Sequence, residues 1–230
     1  DLGADVVKIE NPNGGDDTRG WGPPFIEKED GTRSEAAYFA CCNRGKRSVS
    51  LDFTTKGGAQ TARKLAKAAD ILVENFKPSG LVKYGLDYAT LKEINPRLIY
   101  CSITGFGQSG PYANRPGYDF LIQGMGGLMS ITGEPGRGPM RVGIPIADLT
   151  AGLFCAQGIL LALIERQQSG EGQWLHTSLL QAQVFMLDFQ AARWLCAGEV
   201  PGQAGNNHPT SIPTGVFKTA DGSINLAVAG

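Results

Sequence analysis

Short apolar runs that read as strands alternate along this chain with longer stretches of 3.6-residue periodicity, and that alternation restricts the fold more than any other feature. Strands separated by helices do not pair as tight hairpins. Each crossover returns the next strand parallel to the last, with the helix lying on a sheet face. The strand-like runs are residues 6–10, 48–53, 71–75, 98–104 and 174–177. Helical patterns occupy 56–69, with Ala59, Ala62, Leu65, Ala66 and Ala69 on one face, then 91–94, 118–131, the stretch after Asp148 to about 168, and 179–196. Asp221-Gly222 predicts a hairpin between 215–219 and 224–228. The expected architecture is α/β, a Rossmann-like, mainly parallel sheet flanked by helices. Ligands of such sheets bind beyond the carboxyl ends of the strands. The polar segments after Glu10, Asn75 and Thr104 are therefore the expected walls of a site. The first of them, 11–35, is too long to be a mere connector and is expected as loop.

The 230 residues suffice for one large α/β domain. A net charge of −1 leaves no electrostatic footprint for nucleic acid or an anionic membrane, and no apolar run reaches membrane-spanning length. Cys41, Cys42, Cys101, Cys155 and Cys196 lack metal-ligand spacing. Their odd number reads as reduced thiols in a reducing compartment, the cytoplasm or, in a eukaryote, the mitochondrial matrix. Two histidines, His176 and His208, exclude a multi-histidine metal site, so no metal is expected. The opening Asp1-Leu-Gly-Ala-Asp5 reads as a helix end with Gly3 as its cap, and 223–230 reads as a strand. Both ends look cut through structure, so a fragment of a longer protein is expected.

No phosphate-binding P-loop, dinucleotide fingerprint or serine nucleophile elbow is present. Gly124-Met-Gly-Gly127 lies within a helical pattern, where glycines serve close packing. His176, on an apolar strand, reads as a core histidine. His208, in Gly205-Asn-Asn-His-Pro209, fits either a site or turn chemistry. Arg19 and Trp21 sit in a polar, aromatic loop. Asp148 interrupts the apolar segment Val142-Gly-Ile-Pro-Ile-Ala-Asp-Leu-Thr-Ala-Gly152 where a helix begins. The helix dipole there favours its ionised form. Asp148 is then a cap or a nucleophile, and Ala151 three positions on completes no capping box. Tyr118 and Asp119, opening another helical pattern, would bring a phenol and a second carboxylate to the same cleft.

Asp5-Val-Val-Lys-Ile-Glu10, Asp17-Thr-Arg-Gly-Trp21, Asn43-Arg-Gly-Lys-Arg-Ser48, Val73-Glu-Asn-Phe76, Asn95-Pro-Arg97, Thr104-Gly-Phe-Gly107, Gly117-Tyr-Asp119, Ile146-Ala-Asp-Leu-Thr-Ala-Gly152 and Gly170-Glu-Gly-Gln173 follow one another in order. On these motifs the chain resembles the family III CoA-transferases over essentially its whole length, as the middle of such a protein. The resemblance implies a large CoA-binding and catalytic domain over 1–198, a linker and the start of a small domain over 199–230, and an interlocked homodimer of the full-length protein. It implies acyl-CoA and small carboxylic acids as substrates, with no permanently bound cofactor. It makes Asp148 the covalent nucleophile, working through an aspartyl anhydride and an aspartyl-CoA thioester. Asn75, Phe76, Lys83 and Leu51 map to CoA-lining positions. Asn11 stands where formyl-CoA transferases carry Arg, and His208 lies near their glycine loop. The loops at 16–24 and 100–111 look more like the succinyl-CoA:dicarboxylate branch than the formyl branch. The rival reading is a 2-methylacyl-CoA racemase of the same fold. Racemases resembling this chain carry Gly-His-Asp at the Gly117-Tyr-Asp119 position, and a phenol is a poor base at neutral pH. A third reading is an inactive fragment.

Overall fold

The computed structural model describes residues 2–228; Asp1 of the expected helix end and residues 229–230 of the last strand pattern lie outside the described residues. β1 (Val7–Glu10) is followed by a 3-10 turn at Asp17–Gly20, then by an antiparallel pair, β2 (Phe25–Glu27) and β3 (Arg33–Ala36), and by α1 (Ala37–Asn43). The expected loop over 11–35 is thus partly structured. Asp30 and Gly31 make the β2–β3 turn: the Asp30 carboxylate accepts the Thr32 N–H at 2.9 Å, and Gly31 has φ +78°. The paired strands are short and carry no apolar run that would announce them.

β4 (Arg47–Ser50) runs parallel to β1, with Glu10 opposite Ser50. It stops before the expected residue 53 because the Asp52 carboxylate accepts the Thr54 N–H and turns the chain. Thr55 then caps α2 (Lys56–Ala68) by accepting the Gly58 N–H. β5 (Ile71–Glu74), α3 (Tyr88–Ile94, capped by Asp87) and β6 (Ile99–Thr104) follow. Asn95 donates to the Ala66 and Ala69 carbonyls, so the end of α3 satisfies the orphan carbonyls closing α2.

The single helix expected over 118–131 is two, α4 (Asp119–Met125) and α5 (Leu128–Ile131). Gly127 between them has φ +87°, a conformation that ends a helix. α6 (Ile146–Ser169) leads to β7 (Trp174–Ser178). The long helix expected over 179–196 is also two, α7 (Leu179–Phe185) and α8 (Phe189–Ala197), broken at Asp188 with φ +49°. β8 (Thr214–Lys218) and β9 (Ser223–Ala227) form the expected hairpin, with Lys218 opposite Ser223.

β5, β6 and β7 make a three-stranded parallel sheet in that order, with Glu74 opposite Ser102 and Thr104 opposite Ser178. Alternate residues of β6 serve opposite faces. Tyr100 joins Ala62, Ala66, Leu81, Leu86, Leu91 and Leu98 in the core beneath α2 and α3. Cys101 turns the other way and meets Cys155 of α6, sulfur to sulfur at 2.8 Å. A second cluster, Ile122, Ala147, Ala151, Leu179 and Ala182, locks α4, α6 and α7 together.

One correction concerns α6. It has 24 residues and contains an 18-residue stretch of mean hydropathy 1.8, long and apolar enough to cross a membrane by length and composition, although no apolar run of that length was expected. Asp148 and Glu165 bound the uncharged run, whereas the helix extends past both. Its small residues Ala147, Ala151, Cys155 and Ala162 are buried, while Leu153 (69% exposed) and Leu161 (62%) face outward. Among the described residues that outer face is an apolar surface left uncovered.

Candidate functional site

The loop leaving β6 crosses the segment entering α4 at two glycines. A Cβ on Gly105 would lie 2.5 Å from the Gly117 Cα, and one on Gly117 would lie 2.4 Å from the Gly105 Cα. Only glycines allow this backbone approach. The crossing delivers Tyr118 and Asp119 beside the start of α6. Tyr118 is 66% exposed and precedes α4 in extended conformation.

Asp119, not Asp148, caps α6. Its Oδ1 accepts the backbone N–H of Ala147 at 2.9 Å, one of the orphan amides at the start of α6. The helix is therefore capped by a carboxylate from a different helix. Its own residue before the first turn, Pro145, provides no side-chain cap. Asp148 is the third residue of α6, and among the described residues no group donates a hydrogen bond to its carboxylate. It is a free carboxylate in the first helical turn.

Its protonation behaviour departs from the simple dipole argument. Burial by the surrounding protein pushes the Asp148 carboxyl above the usual aspartate range, and the nearby Asp119 charge pushes it the same way. The helix dipole opposes both. The net direction is upward, toward a more basic and more nucleophilic carboxylate, although one side of the residue is open to solvent.

A residue outside the expected set, Tyr38, feels the charge of the same acids. Burial raises the Tyr38 phenol, and the charges of Cys42, Asp148, Cys41 and Asp119 raise it further, which places it in their field. Its ring packs against Trp21 with centroids 5.7 Å apart. Tyr38 lies on α1, a helix the sequence pattern did not announce. Its signals were the short apolar run from Ala36 to Cys42 and its place between the motifs at Asp17–Gly20 and Asn43.

The Trp21 loop is held by Arg19. The guanidinium donates to both Glu10 oxygens, at 2.8 and 2.9 Å, and lies 3.9 Å from the Phe39 ring centre. Glu10 also accepts from Ser48 and from the Asp16 N–H. The Arg19 hydrogen bond leads in holding its carboxyl down at about 2.

The expected CoA-lining residues fall into one neighbourhood. Phe53 sits edge-on to Phe76 at 5.7 Å and to Tyr84 at 5.5 Å, with the Lys83 ammonium 4.8 Å from the Tyr84 ring. Leu51 packs against the core next to Phe53. A depression of about 430 Å³ opens beside them, and Lys56, Arg63 and Lys83 line it. Three cations beside exposed aromatic surface suit a phosphorylated, ring-bearing ligand. Asn75 is exposed next to Phe76, and Glu74, a residue outside the expected set, accepts the Phe76 N–H at 2.7 Å and fixes that turn.

The remaining candidates are occupied locally. The Asn11 side chain accepts the Asn13 N–H in an exposed turn. His208 stacks on Phe189 at 5.7 Å and its Nδ1 accepts from the Thr210 and Ser211 amides. These contacts are turn chemistry, and none joins His208 to Asp148. Among the described residues no cluster of three or more His, Cys, Asp or Glu is placed to hold a metal.

Comparison with known proteins was consistent across sequence and structure. The profile of CoA-transferase family III matches residues 1–230. The chain is 52% identical to the succinate–glutarate CoA-transferase of Agrobacterium fabrum over 99% of its own length and 57% of that protein's. It is 41% identical to the human succinyl-CoA:glutarate CoA-transferase over 97% of this chain and 50% of that one. The crystal structure of a CaiB/BaiF family protein from Brucella suis superposes with TM-score 0.90 at 53% identity, covering 97% of this chain and 58% of that chain. The chain thus spans little more than half the length of the relatives it matches.

Proposed function

The chain belongs to CoA-transferase family III, and from that premise we propose that the whole protein moves CoA from an acyl-CoA donor to a carboxylic acid, with Asp148 as the covalent carrier. The observation that carries this reading is the division of labour at the start of α6: Asp119 caps the helix and leaves Asp148 unbonded. The Asp148 carboxylate attacks the thioester carbonyl, the C–S bond breaks, and CoA thiolate leaves behind an aspartyl anhydride. The thiolate then attacks the Asp148 carbonyl and expels the donor acid, giving an aspartyl-CoA thioester. The acceptor carboxylate attacks that thioester, forms a second anhydride and releases the thiolate. The thiolate takes the acceptor acyl group and restores the Asp148 carboxylate. One thioester replaces another, so no metal or nucleotide hydrolysis is needed for balance.

Succinyl-CoA as donor and a dicarboxylic acid such as glutarate as acceptor are supported by the names of the similar Agrobacterium and human enzymes. The pocket lined by Lys56, Arg63, Lys83 and Tyr84, beside the Phe53–Phe76 ring pair, takes the nucleotide end of CoA. The racemase reading lacks a second base, because Tyr118 occupies the position next to Asp119. A homodimer is supported by the apolar outer face of α6 and by exposed Phe185, Trp194 and Leu195 on α7 and α8.

The test is mass spectrometry of the whole protein incubated with succinyl-CoA and quenched with hydroxylamine. A hydroxamate on Asp148 is expected. Labelling of another residue, or of none, overturns the proposal.

A further inference from the structure

We infer that Gln123 is a positioning residue for the nucleophile: its buried amide fixes the approach to α6 and the capping Asp119 to each other, and through them sets the place of Asp148. The inference rests on the CoA-transfer reading above. Gln123 lies in the second turn of α4 and is fully buried, at 0% exposure. Its Nε2 donates to Asp119 Oδ2 at 2.8 Å and to the Ile144 carbonyl at 3.2 Å, and its Oε1 accepts the Val142 N–H at 2.9 Å. Both amide N–H groups are spent, on two different partners.

The arrangement has a mechanical logic. Val142 N–H and Ile144 C=O are backbone groups two residues apart, and the side-chain amide grips both, as a neighbouring strand would. The chain between them includes Gly143, whose surroundings are open, and runs into Pro145, which has no N–H to offer. Gln123 therefore supplies anchorage that the segment lacks by itself. Asp119, one helical turn earlier on α4, holds Ala147. Two neighbouring side chains of α4 thus clamp residues 142–147, immediately before Asp148.

Such pairing is not automatic for a buried glutamine. Gln183, on α7 and also packed against α4, has both amide atoms buried with no hydrogen-bond partner among the described residues. The satisfied network at Gln123 is a specific feature of the approach to the nucleophile. Reactivity of an attacking group is sensitive to displacement: a misplacement of about 1 Å costs roughly 100-fold in rate.

The decisive measurement is single-turnover labelling of Asp148 in the whole protein with succinyl-CoA and hydroxylamine, resolved in time, with the dissociation constant of succinyl-CoA measured beside it. Gln123→Met keeps the volume and removes every hydrogen bond. It is expected to lower the labelling rate constant roughly 100-fold and leave the dissociation constant within about twofold. Gln123→Glu keeps an acceptor for Val142 and loses the donors to Asp119 and Ile144; it is expected to move the rate constant in the same direction, and it carries the test if Gln123→Met does not fold. A merely structural role would lower the labelled fraction through loss of folded protein and leave the rate constant at the wild-type value. That result overturns the inference. Failure of wild-type protein to label on Asp148 overturns the functional reading, and this inference with it, and is recognised by appearing without any substitution.

Discussion

Glu10 and Asp148 are two carboxylates at the ends of regular elements, and the protein treats them in opposite ways. Glu10, closing β1, is 5% exposed and receives four hydrogen bonds, two from Arg19, one from Ser48 and one from the Asp16 backbone. Its carboxyl is held down at about 2. Asp148, opening α6, receives none among the described residues, and its carboxyl is pushed up by burial and by Asp119. A saturated carboxylate is a structural tie. An unsaturated one, crowded by protein and by a second negative charge, keeps its lone pairs for a reaction.

The contrast is broken most sharply by substitution at both positions. Asp148→Asn is expected to reduce kcat by at least about 1,000-fold, since the covalent transfer proposed here has no other carrier; steady-state assay of the whole protein with succinyl-CoA and glutarate reads it. Glu10→Gln is expected to do the reverse: to cost roughly 3 kcal/mol of stability, because it strands Arg19 in a largely buried network, with kcat of the folded fraction close to wild type. A urea midpoint measured beside the activity separates the two effects. Gly105→Ala forces a methyl to 2.5 Å from the Gly117 backbone and is expected to destabilise by about 2 kcal/mol; equal Tm for variant and wild type would remove the crossing from the account. Lys83→Ala is expected to raise KM for acyl-CoA roughly tenfold with kcat unchanged, as loss of one phosphate contact does.

The smallest effect is a matter of sign in pH. The lowered Glu10 carboxyl contributes stability that is fully present above the ordinary glutamate range and lost as pH falls toward about 2. The raised Asp148 carboxyl does the opposite: its charge is a burden at neutral pH that fades as pH falls through its elevated value. Asp148→Asn should therefore raise Tm slightly at neutral pH, with the gain shrinking in acid. The acid limb of kcat should also lie above the ordinary aspartate range. A Tm difference that grows on acidification would reverse the assignment.

What the sequence disclosed follows from where the signals are local. The buried strand β6 and its neighbours β5 and β7 announce themselves because runs such as Leu98 to Thr104 are apolar and flanked by turn residues. Asp148 stood out because a charge in an apolar run is conspicuous. α1 and Tyr38 lie in a short apolar run, Ala36 to Cys42, too brief for periodicity to separate helix from strand. The breaks at Gly127 and Asp188 are single left-handed residues in otherwise helical patterns. The capping of Ala147 by Asp119 and the grip of Gln123 on Val142 join residues 28 and 19 positions apart. No periodicity encodes such pairs, because they depend on how α4 packs against α6.

The borrowed cap of α6 has a practical consequence. Because the helix start is closed by Asp119, its geometry does not depend on the Asp148 side chain. A protein carrying Asn at 148 should remain a receptor that admits its thioester and holds it without turnover. Immobilised, such a protein becomes a bait, and the acyl-CoA it withdraws from a cell extract identifies the physiological donor by the metabolite itself.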